Sequence, residues 1–316
     1  MRELHVLREV TNSYEWSYEL LLYDQKKFQV INNDLPNQDY YLVDKKEQVI
    51  YGHVCFQFSE GKAISNSAAP FGGFSFHESM TVEDRLFFAI EVVRLLKAQG
   101  LSEIMIHQAP CTQLIDLAFQ DRLRFLGFEN ISTREYQLIE LIHSFSDGLY
   151  DMELRKLKKA KDNGFRFDLA PASKLKEVLD FVIEQRSILG YEFSMNWEQL
   201  REYQKAFPNK YLGARVWDDS KLIAASIMVV EHGQMIYQFA PAHLKTYNRY
   251  SPLVYLTSQV FSWARQQGYQ WLNLGTSYVA EEKNEGLFRF KENLGAQSFI
   301  APSLQKVITS LETGRN

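Results

Sequence analysis

Lys291 is the residue whose type and position most need explaining. It lies four residues after Leu287 and three before Leu294 in the stretch NEGLFRFKENLG, so helical spacing places it on the same face as Leu287, Phe290 and Leu294. A lysine on an apolar face must bury its stem and either find a partner for its ammonium or give up the proton, because an unpaired buried charge is strongly unfavourable. The plain alternative is a stem that snorkels to the surface towards a carboxylate. Two tyrosines stand nearby in the expected fold, Tyr278 just before this helix and Tyr237 on an earlier strand. With 17 tyrosines in the chain, packing is the default role for each.

A second group of charges lies at Arg155, Lys156, Lys158, Lys159 and Lys161. Leu154, Leu157 and Ala160 recur at a spacing of three, which turns the basic residues outward. They form either a solvated helix face or a patch for phosphates whose binding would weaken steeply with salt.

The elements that position these residues come from a repeat. Gly100 and Gly127 lie 27 residues apart, as do Gly268 and Gly295, and the two pairs are offset by 168. In that register Leu86, Phe87, Phe88, Val92 and Val93 align with Val254, Tyr255, Leu256, Val260 and Phe261, and Ile104 and Ile106 align with Leu272 and Leu274. The halves therefore read as one fold used twice. Leu123 is the partner of Lys291, so the second copy carries a cation where the first carries a core residue.

A length of 316 residues exceeds the usual single core and agrees with two domains, expected here as 1–150 and 151–316. The 46% hydrophobic content suffices for two cores. A net charge of −4 argues against a DNA-wrapping surface. The N-terminus lacks an apolar core after its charges and no run of about 18 apolar residues occurs, so the chain is expected to be cytoplasmic and without a membrane span. Cys55 and Cys111 make neither a CxxC pair nor a disulfide framework and read as small core residues. The seven histidines show no HxxxH or HExxH spacing, and no metal is expected.

Each half reads as a strand, helices, a β-meander, a helix, a strand, a helix and closing strands. In the second half the meander is expected over 211–217, 222–230 and 235–240, with Pro252 starting the long helix, a buried strand at 271–274, and Asn284 capping the lysine helix. In the first half the meander is expected over 40–43, 49–58 and 63–67. The charged stretch 147–164 reads as a helical link between domains.

This order, with an RKLKKAKDNG helix opening the second half and NEGLFRFKENLG near its end, resembles the Fem branch of the GNAT superfamily of N-acyltransferases. The resemblance implies an α/β fold with a mixed sheet, built as two tandem GNAT-like domains. It also implies transfer of an acyl or aminoacyl group from an activated donor to a primary amine on a peptidoglycan precursor. By that resemblance Lys291 orients the donor carbonyl and stabilises the oxyanion, Tyr278 and Tyr237 pass a proton or bind substrate, and the carbonyl lies at Phe239, Ala240, Asn273 and Gly275. Arg155, Lys158 and Lys159 would hold the phosphates of a tRNA acceptor end or a nucleotide-linked precursor, and the first lobe would shape acceptor binding.

The family's glycine-rich loop before the long helix is missing. Residues 243–252 read HLKTYNRYSP, with no glycine and with Pro252 removing a donor. That weakens acetyl-CoA as donor relative to aminoacyl-tRNA, although Arg249, Ser251 and the helix N-terminus remain able to bind an anion. No tightly bound cofactor is expected. Two rival readings stand beside this one: a conventional acetyl-CoA-dependent acetyltransferase, and a non-catalytic ligand-binding protein on a duplicated acyltransferase fold.

Overall fold

The computed structural model describes residues 2–32, 35–66, 69–191, 193–279 and 282–308. The chain divides into two compact units, residues 1–135 with 299–316, and residues 136–298. This division differs from the expected boundary at 150. The strand Glu129–Glu140 starts in the first unit, but its residues 136–140 pair antiparallel with Trp271–Thr276 of the second. The closing strand Gln297–Val307 likewise returns, pairing residues 303–307 with Glu103–His107 of the first. The stretch read as a link belongs to the second unit, since Leu157 and Ala160 lie in that unit's core and Leu149 packs against it.

In the first unit Asn37–Asp44, Val49–Ser59 and Lys62–Ile64 form an antiparallel meander, and Lys62–Ile64 pairs parallel with Glu103–His107. The crossover is the helix Val82–Ala98. Thr81 caps it in a reciprocal box with Asp84, which satisfies two donors of its first turn. Phe88, Val92 and Leu96 bury one face of this helix against Tyr40, Phe56 and Ile104. Ser67, expected at the end of the third meander strand, lies outside the described residues.

The second unit repeats the plan. Arg166–Ala170, Tyr211–Asp218, Lys221–His232 and Met235–His243 are successive antiparallel neighbours. The crossover helix Pro252–Gln266 leads to Trp271–Thr276, parallel to the end of the meander. Gly100 and Gly268, and Gly127 and Gly295, all have positive φ between 78° and 87°, so each matched pair closes its helix by the same left-handed turn. Leu123 is fully buried and Lys291 is 6% exposed, so the repeat register puts both on an inward position.

Two details of the expected helix faces are corrected. Leu287 is 37% exposed, so Lys291, Leu294 and the partly buried Phe290 mark the inward side of Glu285–Asn293. On the basic helix Asp151–Asp162 the inward residues are Glu153, Leu157 and Ala160, whereas Leu154 is exposed. Glu153 is tolerated there because Lys156 reaches it at 2.7 Å.

Candidate active site

The site forms where two parallel strands stop pairing. Met235, Ile236 and Tyr237 pair with Trp271, Leu272 and Asn273, and pairing ends there although both strands continue. Each continuation carries an irregularity. Ala240 sits at φ +50° beside a register shift against Lys221–His232, and Gly275 sits at φ +73° beside a shift against Glu129–Glu140. Such bulges re-aim backbone groups out of the ladder and leave them available to other partners.

Lys291 uses those groups. Its Nζ donates to the carbonyl oxygen of Thr276 at 2.6 Å and to that of Gly275 at 3.1 Å. Among the described residues no carboxylate pairs with it. Burial disfavours the charged form and brings its pKa down to about 7. Snorkelling is thereby excluded, since the nitrogen lies inside the fold against two backbone carbonyls. An ammonium has three N–H groups and two are committed, so one N–H remains when it is protonated and one lone pair when it is not.

The bulge that supplies the carbonyls is itself held. Asn273, fully buried, accepts the Gly275 N–H on Oδ1 at 2.7 Å and donates from Nδ2 to Glu231 at 3.1 Å. On the other side, Ser277 meets the Gln137 side chain at 2.5 Å, and Gln137 donates to the carbonyl of Phe288 on the lysine helix. Asn284 caps that helix by accepting the Leu287 N–H and donates its own N–H to Ser277 O.

Tyr237 closes against the same bulge. A Cβ at position 275 would lie 2.7 Å from its hydroxyl, an approach open only to glycine. Burial, then the neighbouring Tyr136 and Glu231, push the Tyr237 phenol well above its ordinary range, so it stays protonated. Its ring meets Phe239 at 5.4 Å, and Phe239 meets Phe193 at 5.2 Å. Of the residues expected from sequence, Lys291, Gly275, Asn273, Tyr237, Phe239 and Ala240 are thus brought to one place. Tyr278 follows in the short strand Tyr278–Val279, paired with Lys283.

The remaining expected residues gather elsewhere. Arg249 is exposed and lies over the Tyr250 ring at 4.6 Å, and Lys159 lies over the same ring at 5.9 Å. Arg155 and Lys158 are exposed on the basic helix. Ser251 adopts φ +53° and makes no side-chain cap; its carbonyl takes the N–H groups of Val254 and Tyr255. With Pro252 at the first position, only the Leu253 N–H of that turn lacks a backbone partner. This is a poor cradle for a pyrophosphate.

One residue escaped the sequence reading. Arg186, near the end of the helix Leu175–Ile188, has a buried Nε without a hydrogen-bond partner. Burial lowers its pKa, and the neighbouring Tyr237 and Tyr191 act in the opposite direction. Its guanidinium stacks over Tyr191 at 5.2 Å. Nothing in its helical spacing distinguishes it from an ordinary arginine near a helix C-terminus. Glu231 did leave a signal, a lone carboxylate after the apolar run IMVV.

Comparison with known proteins bears on this arrangement. Residues 152–292 match the acetyltransferase (GNAT) domain family model, and no curated protein matches by sequence. The crystal structure of FemX superposes with a TM-score of 0.66 at 10% identity, over 92% of this chain and 94% of that one. The structure of L-PGS from Bacillus licheniformis gives 0.57 at 15% identity, over 87% and 85%. The C-terminal domain of a putative lysylphosphatidylglycerol synthetase from Agrobacterium fabrum gives 0.55 at 13% identity, over 81% of each chain.

Proposed function

We propose, for a chain that carries a GNAT acyltransferase domain on a Fem-like fold, that it moves an aminoacyl group from an activated donor to a primary amine. The observation that carries this reading is the buried Lys291 Nζ, held by two carbonyls with one valence left. The neutral amine attacks the donor carbonyl, a C–N bond forms, and the carbonyl oxygen takes up negative charge. The third N–H of protonated Lys291, 6% exposed, donates to that oxygen. As the intermediate collapses, the bond to the leaving oxygen breaks and the proton lost by the amine ends on that oxygen. Tyr237, kept protonated by burial, is the group suited to relay it.

Aminoacyl-tRNA is preferred to acetyl-CoA as donor because the turn at Ser251 and Pro252 leaves a single free N–H where a pyrophosphate would need several. Exposed Arg155, Lys158 and Lys159, with Arg249 beside Tyr250, offer positive charge for the phosphates of an acceptor stem. Arg186 would take an anionic group of the substrate beside Tyr237. A peptidoglycan-precursor amine is the acceptor that the sequence resemblance to the Fem branch implies. Among the described residues no helix is long and apolar enough to cross a membrane.

The test is a transfer assay with a mixed, radiolabelled aminoacyl-tRNA pool and, separately, acetyl-CoA, each with an amine-bearing muropeptide. Label passing from tRNA to peptide supports the reading. Transfer from acetyl-CoA alone would replace it with conventional acetylation.

A further inference from the structure

The second unit buries a carboxylate that takes no part in the transfer steps above. Glu231 is 0% exposed and follows the apolar run Met228, Val229, Val230 on the strand Lys221–His232. Taking a glutamate out of water is costly unless its oxygens are bonded, so its presence at that depth needs a reason.

The backbone at this point is irregular. Val230 pairs with Ile236 and His232 with Met235, so Glu231 is an extra residue at the closing end of the hairpin. A bulge of this kind re-aims a side chain out of strict alternation, and such bulges gather next to active sites. In the first unit's hairpin Phe58 pairs with Ala63 and Ser59 with Lys62 in unbroken succession.

The re-aimed side chain meets Asn273, and the orientation of that amide follows from its other contact. The Gly275 N–H is a donor, so the atom it reaches at 2.7 Å must be Oδ1, and Nδ2 is left to donate to Glu231 Oε2 at 3.1 Å. Gly275, held through its N–H, turns at φ +73° and presents its carbonyl to Lys291 Nζ at 3.1 Å, beside the Thr276 carbonyl at 2.6 Å. Every donor in this series points from the lysine towards Glu231. The series must therefore end on an acceptor, which is what the glutamate supplies.

The repeat provides an internal comparison. Lys62 and Met235 begin the parallel pairing with Glu103 and Trp271, so Asn273 answers to Met105 and Gly275 to His107, as Lys291 answers to Leu123. Where the lysine is replaced, the asparagine, the glycine and the extra glutamate are replaced or absent with it, and the same plan of strands and helices still forms. The series thus serves the lysine and not the fold.

We infer that Glu231 is a positioning residue for the transfer, one that fixes the Asn273 amide and through it the Gly275 turn that orients Lys291. The inference rests on the reading of Lys291 as the oxyanion donor and adds a residue to it.

The test is a double-mutant cycle in the assay of transfer from aminoacyl-tRNA to muropeptide, with Glu231→Met, Glu231→Gln and Lys291→Met made singly and each glutamate variant combined with Lys291→Met. Glu231→Met keeps the volume and removes the acceptor. It should lower kcat about 10- to 100-fold with KM little changed, the scale of a misplaced catalytic group. Glu231→Gln retains an oxygen for Nδ2 and should stay within about threefold of the parent. On the Lys291→Met background Glu231→Met should change kcat by less than about twofold, because the lysine it positions is gone. A general weakening of the fold would instead lower activity equally on both backgrounds. That result overturns the proposal, as does parental kcat in Glu231→Met or a glutamine variant no better than the methionine one. Should Glu231→Met fail to fold, Asn273→Leu breaks the same link and takes its place in the cycle. A loss in Lys291→Met with none in Glu231→Met removes the Glu231 assignment alone, whereas full activity in Lys291→Met removes the lysine reading beneath it.

Discussion

A methyl group at position 275 would stand 2.7 Å from the hydroxyl of Tyr237, in a residue whose φ is +73°. The glycine therefore lets the backbone bulge that receives Lys291 and the aromatic wall of the site share one space. Gly275→Ala would add left-handed strain to a contact that only movement of Tyr237 or of the bulge relieves. The expected outcome is a loss of about 1–3 kcal/mol in urea unfolding and at least a tenfold fall in kcat. Activity at the parental level would show that the bulge tolerates displacement.

Lys291 should weaken the fold it serves. Its folded pKa of about 7 lies below the ordinary lysine value of 10.5, so between these values the unfolded chain binds the proton more tightly. The sign is then fixed: stability rises with pH from about 7 to about 10.5, and the penalty is fully present below 7. The shift corresponds to about 5 kcal/mol at most. Lys291→Met should thus be more stable than the parent at pH 6 by a few kcal/mol, with the difference closing towards pH 10.5. Denaturant midpoints at the two pH values check this, and a gap that does not depend on pH would refute the buried, unpaired placement.

Arg186→Gln keeps a hydrogen-bonding side chain but removes the desolvated charge beside Tyr237. For a substrate with a carboxylate or phosphate at that place, KM should rise about tenfold or more while kcat changes little, the mark of a lost uniform binding contact. An unchanged KM would remove Arg186 from substrate binding.

These cases show why parts of the site were legible in the sequence and others were not. Helical spacing with Phe290 and Leu294 and the repeat register both placed Lys291 inward, the latter because its counterpart Leu123 belongs to a helix whose place in the core follows from periodicity. Leu287 misled, since a short helix at the edge of a unit can leave an apolar residue 37% exposed. The strand splay was visible only as the ends of two apolar runs, and the bulges at Ala240 and Gly275 depend on neighbouring strands no local pattern reveals. Arg186 was invisible for the same reason: its significance lies in an unpaired atom inside the fold. The compact units divide at 135 and 298 because the strands at 129–140 and 297–307 each begin in one unit and pair in the other, a pairing that no local pattern reveals.

The basic helix makes a prediction about ionic strength. Lys156 is engaged by Glu153, whereas Lys158, Lys159 and Arg155 are exposed. If they contact tRNA phosphates, the double variant Lys158→Glu/Lys159→Glu should weaken tRNA binding and flatten log K against log salt by about 1.5–2 units. Filter binding between 50 and 200 mM salt, roughly the range over which such contacts are most sensitive, measures both. An identical slope would leave the helix as a solvated face.

The central claim is tested most directly by kcat against pH for the parent and for Lys291→Met. Loss of one oxyanion donor should lower kcat about 100- to 1,000-fold in a variant that remains folded. In the parent, activity should fall as pH rises through about 7, where Lys291 gives up its proton, and that limb should be missing in the variant. A variant with full activity, or one that keeps the limb near pH 7, would contradict the assignment of Lys291 to the reaction.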